Sequence, residues 1–313
     1  MKNKIEIFKL IGKWGITASF FIYCLVIIIH VYEQAKIKTL NHIMPVSFNH
    51  LLEIGQSVNK ISSGSADKKD EKVHFRLKEY ERYYRAVTHY MPQYGEAHGM
   101  YGFCAYYLGK ERSAIASYKR AIALTPDFFY FNSNLGIIYF QKGDYERAVE
   151  MFKKAIRTSP EKTLKTVLAS KIYRQIMVGN PHLIQRMAAN WIANRQETYQ
   201  MLILSLYQLH DFSEMFLRAQ EAIQSGGQRN GFFYYYAGLA AYELKDYPKA
   251  AAFLAGCLKR EYEHPDTLHY LGLSLKNLGQ EDMADNFFKR AAELRASKNA
   301  LLSEEIRAAV KLF

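Results

Sequence analysis

A chain of 313 residues in which 49% of the side chains are hydrophobic is long enough to bury a sizeable core in one or two domains, which excludes a disordered tail. Its formal charge of +12 does not by itself mark a nucleic-acid binder, because the lysines and arginines mostly alternate with acids along helical patterns such as "KGDYERAVEMFKK" and form no dense basic run. The three cysteines, Cys24, Cys104 and Cys257, lie far apart without a C-x-x-C pair, which excludes a disulfide framework of the kind that staples small secreted domains.

The first 32 residues carry +3, from four lysines against Glu6. Residues 14–32, "WGITASFFIYCLVIIIHVY", are 19 in number and hold no acidic or permanently charged side chain. A helix of that length covers the roughly 30 Å hydrocarbon layer, so a transmembrane anchor is predicted here, with Trp14 and Tyr32 at its two interfaces. A cleaved signal peptide is the competing reading. It fails at "HVYEQAK", where a cut behind Ala35 needs a small residue in place of Glu33. Lys2, Lys4, Lys9 and Lys13 precede the span and Lys36 and Lys38 follow it, so the positive-inside bias puts residues 1–13 in the cytoplasm and the remainder outside it. Residues 33–71 read as a linker and irregular helical region, with residues 46–61 a candidate helix and "SSGSADKKDEK" an exposed polar loop.

From residue 72 a period dominates. Gly102, Gly109, Ala114, Tyr118, Ala121 and Pro126 recur 34 residues later as Gly136, Gly143, Ala148, Phe152, Ala155 and Pro160. Gly238 and Ala250 extend the register by three periods, and Leu271, Gly272, Gly279, Ala284, Phe288 and Ala291 extend it by four. The stretch "LILSLYQLHDFSEMFLRAQEAI" aligns at an offset of 67, one short of two periods, and residues 163–196 form a degenerate unit with Asn180-Pro181 as its internal turn. Upstream, Tyr84 and Pro92 lie one period before Tyr118 and Pro126, which marks the second helix of an incomplete unit. Gly136 sits inside an apolar helical run, where glycine costs about 1 kcal/mol against alanine, so a close helix contact is predicted there. Gly143 is predicted to supply a left-handed cap and Asp144 to cap the following helix. Pro248 belongs in the first turn of a helix, and residues 298–313 place Leu302, Ile306, Ala309, Val310 and Phe313 on one face of a capping helix.

The marks Leu135-Gly136-x-x-Tyr139, Ala148-x-x-x-Phe152 and Pro160 resemble the tetratricopeptide repeat, with Asn132 where that family usually has tryptophan. The resemblance implies an all-α fold, a right-handed α-solenoid of antiparallel helix pairs over residues 72–297, here behind an N-terminal transmembrane helix. The best repeats are 95–128, 129–162, 231–264 and 265–297. Gly136 and Ala148 are then the small residues between the helices of a pair, while Tyr139 and Phe152 fill the space between pairs. The resemblance also implies a concave groove lined by positions 2, 5, 9 and 12 of each unit, with position 13 alongside. Those positions hold Phe103, Tyr106, Tyr107, Tyr130, Phe140, Lys171, Arg174, Phe232, Tyr235, Tyr242, His269 and Lys276. The first two well-marked repeats bring Phe103, Tyr106, Tyr107, Tyr130 and Phe140 to one expected face, the predicted principal partner site. The family's clamp for a C-terminal carboxylate is not implied, because Gly99 and Phe103 stand where its lysine and asparagine belong.

Catalytic motifs are absent from the sequence: it has no P-loop, no G-x-S-x-G elbow and no H-E-x-x-H pair, so neither an enzyme nor a cofactor is expected. The polar cluster "EYEHPDTLH", residues 261–269, reads as a junction between repeats and not as a metal site. The function that follows is a membrane-anchored scaffold or assembly factor that binds other proteins as peptide segments or helices. Its expected place is a bacterial inner membrane, with the repeats outside the cytoplasm, serving an envelope complex such as a pilus, secretion or cytochrome-maturation system. The alternatives are a carbohydrate-handling or enzyme-regulatory subunit and a cytosol-facing receptor on an organelle membrane. Self-association is left open.

Overall fold

The computed structural model describes residues 22–40, 69–170, 182–260 and 264–310, and among these every regular element is helical. Residues 1–21, the candidate helix 46–61, Lys171, Arg174 and the Asn180-Pro181 turn lie outside the described residues. The chain divides into two compact units, Met1–Asp127 with Leu164–Pro181, and Phe128–Thr163 with His182–Phe313.

In the first unit, α1 covers residues 22–40, and α2 (Lys69–Tyr90), α3 (Gly95–Tyr107) and α4 (Glu111–Leu124) follow. Helices α2, α3 and α4 pack in sequence order around Leu77, Tyr84, Val87, Ala97, Cys104, Ala105, Ala114 and Tyr118, all buried. Among the described residues no helix is long and apolar enough to cross a membrane. The span expected over residues 14–32 begins outside the described residues, and its described part, 22–32, is helical with Ile22, Ile28 and Val31 exposed at 62%, 64% and 60%.

The most deeply buried charged side chain described in this unit is Glu81. Glu81 on α2 is 3% exposed and pairs with Arg85 one turn on and with Lys110 at 3.1 Å, in the turn between α3 and α4. Burial alone raises the pKa of such a carboxyl, yet the two bases hold it below its ordinary value of 4.5. A group whose folded pKa is depressed contributes stability above its unfolded value, and that stability is lost as pH falls through the folded one. We therefore expect the chain's melting temperature to drop on acidification below pH 4.5, and Glu81→Gln to flatten that drop. Equal slopes for the two proteins in thermal melts across this window would count against the assignment.

The boundary between units falls inside α7 (Pro160–Ala169). The second unit contains α5 (Phe129–Gln141), α6 (Tyr145–Arg157), α8 (His182–Gln208), α9 (Phe212–Ala222), α10 (Gly231–Glu243), α11 (Tyr247–Leu258), α12 (Pro265–Asn277) and α13 (Glu281–Val310). A π turn, Ile223–Gly227, links α9 to the loop before α10. The sequence shows why these segments pair. In α6, "YERAVEMFKKAIR", the residues Ala148, Val149, Met151, Phe152, Ala155 and Ile156 recur at three- and four-residue spacing and are the buried ones. Asp144 starts that helix by accepting from the Arg147 amide at 3.3 Å, and Asp211 and Asp246 do the same for α9 and α11 at 3.1 and 3.2 Å. Such caps each contribute about 1 kcal/mol.

Each hairpin turns through one left-handed residue. Gly143 has φ 73° and its equivalents Gly109 and Gly279 have 72° and 75°, whereas the equivalent positions in the other two hairpins hold His210 at 54° and Lys245 at 62°. A side chain in that conformation costs roughly 1–2 kcal/mol, part of which glycine loses again through its greater freedom in the unfolded chain. Lys245→Gly is accordingly expected to raise stability by about 0.5–1 kcal/mol. An unchanged or lower melting temperature would contradict this.

Three expectations change. The ring of Phe152 lies on Gly136 within its own helix pair, not between pairs, and a Cβ at Gly136 would meet that ring at 2.6 Å. The helix expected after the Asn180-Pro181 turn is not separate from the first helix of the next repeat. Instead α8 is one helix of 27 residues that packs directly on α6, with Ser133 and Thr198 hydroxyls 3.0 Å apart and Arg195 donating to the Ile156 carbonyl at 3.3 Å. Its sequence from His182 to Gln208 contains neither glycine nor proline to break it. Likewise α13 continues to Val310, so the segment expected as a distinct capping helix from residue 298 is an extension of the last repeat helix.

Candidate partner-binding face

The first helix of each pair carries the aromatic residues singled out in the sequence, and the two units hold them separately. In the first unit, α3 presents Phe103, Tyr106 and Tyr107, all half-buried, with Tyr107 in ring contact with Phe103 at 4.7 Å and Tyr106 at 5.0 Å. In the second unit, Tyr130 packs on Phe128 and Phe129, with ring centroids 5.6 and 5.2 Å away, and on the buried Phe129–Ala155 cluster. Its hydroxyl accepts from the Asn194 amide at 3.2 Å, and burial raises its pKa. Tyr130 thus serves packing first. Phe140 bridges its hairpin to Tyr145 at 5.5 Å, and three periods on Tyr242 bridges to Tyr247 at 5.8 Å.

The larger assembly of rings lies across α8, α10 and α12. Tyr236 contacts Phe232 at 4.5 Å, Tyr235 at 5.0 Å and Tyr207 at 5.9 Å, and Tyr242 contacts Tyr270 at 5.3 Å. Burial raises the pKa of Tyr235, Tyr270 and Tyr242, and the neighbouring acids, Asp266 for Tyr235 and Glu243 for the other two, push in the same direction. Their hydroxyls are therefore protonated at neutral pH. Tyr235 and Tyr270 also pack against the core cluster of Leu254, Leu271, Leu275 and Ala284, whereas Tyr207 is 36% exposed. His269 stands between Tyr270 and the Phe288 ring, and Lys276 is exposed near the end of α12.

Tyr207, Tyr236 and Tyr270 are the members that sequence reasoning missed. A signal existed for Tyr207, which aligns with Phe140 at the offset of 67. Tyr236 and Tyr270 are themselves one period apart, at the position next to the one inspected.

The two buried cysteines are held in the thiol form. Burial pushes the Cys257 thiol up to about 11 and pushes Cys104 up as well, with the Glu81 carboxylate adding to the effect at Cys104. Cys257 donates to the Gly231 carbonyl at 3.4 Å, a small buried residue in a helix contact. In the polar junction, His264 caps α12 by accepting from the Asp266 amide at 3.3 Å, and Asp266 pairs with Arg295 at 2.9 Å. Among the described residues no group of three histidine, cysteine, aspartate or glutamate side chains is placed to hold a metal ion.

The repeats have known counterparts. A TPR repeat model matches residues 105–143, and tetratricopeptide repeat models match residues 132–162 and 265–298, so the chain carries tetratricopeptide repeats. The crystal structure of YrrB, described as a TPR protein with an unusual peptide-binding site, is similar with a TM-score of 0.51 at 14% identity, covering 71% of this chain and 97% of that one. The crystal structure of MamA gives a TM-score of 0.49 at 18% identity over 67% of this chain and 96% of that one. The likeness to YrrB is one of fold. No curated protein matches the chain.

Proposed function

We propose that this chain, which carries tetratricopeptide repeats over residues 105–162 and 265–298, is a membrane-anchored scaffold that binds other proteins on the tyrosine-rich first helices of its second unit. The observation that carries the reading is the run of Tyr207, Tyr235, Tyr236, Tyr242 and Tyr270 in ring contact or close approach across three successive first helices. Tyrosine offers a large rigid contact area at small entropy cost with a donor at its tip, and it is enriched among the residues that dominate interface energetics. Phe103, Tyr106 and Tyr107 offer a smaller patch of the same kind in the first unit. YrrB's peptide-binding site gives a precedent for such use of the fold, without fixing the partner here.

The anchor belongs to the same proposal. Residues 22–32 form helix whose apolar side chains are exposed on every side, an arrangement that water disfavours and a lipid interior accepts. Together with residues 14–21 they make the stretch of 19 without a permanently charged side chain. The four lysines before it favour a cytoplasmic N-terminus by the positive-inside bias, with the repeats then on the far side of a bacterial inner membrane, where an envelope complex such as a pilus, secretion or cytochrome-maturation system supplies the partner.

Photocrosslinking in intact cells tests the face. A crosslinking side chain at Tyr236 is expected to trap a partner, whereas one at Leu217, 44% exposed on α9, is expected to trap none. Equal yields, or adducts from Leu217 alone, would refute the assignment. An alkaline phosphatase fusion at Phe313 is expected to be active, and an inactive one would reverse the orientation.

A further inference from the structure

Helix α1 changes character at Tyr32 without stopping there. It is apolar up to that residue, polar beyond it, and continuous to residue 40. Its last turn is where it joins the rest of the first unit: Leu40 is 4% exposed, and its carbonyl accepts from the Tyr83 hydroxyl on α2. Lys36 and Ile37, four and three residues before Leu40 and so on the same side, are half-buried, whereas residues 31–35 are exposed. From Tyr32 to Leu40 a helix rises about 12 Å. A membrane that ends near Tyr32 therefore lies about that far from the point where α2 is held, close to the screening length of roughly 8–10 Å at ordinary ionic strength.

On its outer side α2 carries Phe75, Lys78 and Arg82, spaced three and seven residues apart and hence on one stripe. Lys78 and Arg82 are exposed, and Phe75 is exposed at 62%, a large apolar ring left mostly to solvent. Arg85, paired with Glu81, continues the stripe, Lys38 on α1 adds a further exposed base, and Glu79 on α2 and Glu33 on α1 are exposed acids beside them. An aromatic wedge flanked by bases, on an element tethered within reach of a bilayer, has the composition of a surface that sits at an anionic interface.

We propose that the Phe75–Lys78–Arg82 side of α2 seats on the anionic phospholipid surface of the membrane that residues 14–32 enter. The inference rests on the anchor reading above. Charge complementarity and the short rigid reach from Tyr32 favour lipid over a protein occupant. The seating holds the first repeat helices close to the headgroups, on a helix and not on a flexible tether.

The test uses the full chain reconstituted in lipid nanodiscs, either of phosphatidylcholine alone or with phosphatidylglycerol added, and with brominated acyl chains as a quencher. Phe75→Trp adds one fluorophore to Trp14 and Trp191, and its signal is read as the difference from the unsubstituted chain. The added emission is expected to be quenched in the phosphatidylglycerol discs, less so in neutral ones. Lys78→Glu with Arg82→Glu, or the milder Lys78→Gln with Arg82→Gln, is expected to cut that quenching about twofold or more, as does high salt. Circular dichroism checks that the variants stay folded. Added emission that is unquenched in both lipids overturns the seating, as does quenching that ignores phosphatidylglycerol and both base substitutions. Emission that shifts only when a partner protein is added assigns the stripe to a protein and equally overturns it. Retention of the chain on neutral vesicles after an alkaline wash reports the anchor separately: a chain that washes off removes both readings, and a chain that stays without quenching removes only the seating.

Discussion

Replacing Gly136 by isoleucine lowers the melting temperature of the chain steeply, and replacing Phe152 by alanine in the same protein restores most of the loss. The Phe152 ring covers Gly136 so closely that an added Cβ lies 2.6, 2.7 and 3.1 Å from three of its carbons. The ring itself is fully buried and has no solvent to retreat into. Forcing bulk into such a contact costs about 1–3 kcal/mol or more, and each kcal/mol lowers the melting temperature by roughly 2–4 °C in a protein of this size class. The rescue follows from the looser copy of the repeat. At the offset of 67, the positions of Gly136 and Phe152 are taken by Ile203 and Ala219, both fully buried. Large and small have changed places there while their joint volume is roughly kept, the kind of swap that cores tolerate best. Gly102 with Tyr118, Gly238 with Leu254 and Gly272 with Phe288 keep the original order, with close approach in each. A single variant that melts with the parent would remove the packing account. A double variant no more stable than the single one would show that the two sites share no volume.

Changing Tyr207 and Tyr236 together to alanine weakens partner capture about thirtyfold or more and leaves the melting temperature nearly where it was. Truncating a dominant interface residue commonly costs about 2 kcal/mol or more, which is that factor in affinity. Tyr207 is the most open ring of the network at 36% exposed, and Tyr236 joins it at 5.9 Å. Tyr235 behaves differently, because it packs against the Leu254 and Leu271 cluster. Its replacement by alanine is expected to destabilise the protein, so loss of binding in that variant carries no information about the face. Titration of the two proteins against the crosslinked partner, with thermal melts in parallel, separates these outcomes. Normal capture by the folded double variant would move the binding site off these helices, and unfolding would make the pair packing residues.

The two variants probe different reaches of the chain, and legibility in the sequence follows that reach. The caps at Asp144, Asp211 and Asp246 and the left-handed turn at Gly143 depend on residues within a few positions of one another, so a local pattern states them fully. The small-to-large pairing of Gly136 with Phe152 spans 16 residues inside one hairpin and repeats, so the period exposes the close approach even though the ring's seat within the pair does not follow from spacing alone. Tertiary structure alone decided which later helix packs on α6. The contacts of Ser133 with Thr198 and of Arg195 with the Ile156 carbonyl join residues 65 and 39 positions apart, and no repeat phase predicts them across a stretch that has lost the period. The grouping of Tyr207, Tyr236 and Tyr270 is of the same kind, since it needs three helices brought side by side. The docking of Leu40 on Tyr83, 43 residues on, lies outside the repeat altogether. Repetition shows itself in a sequence because each unit packs mainly on its neighbours through the same few residues. Where the chain departs from the period, contact depends on chain path and packing volume, which only the folded arrangement settles.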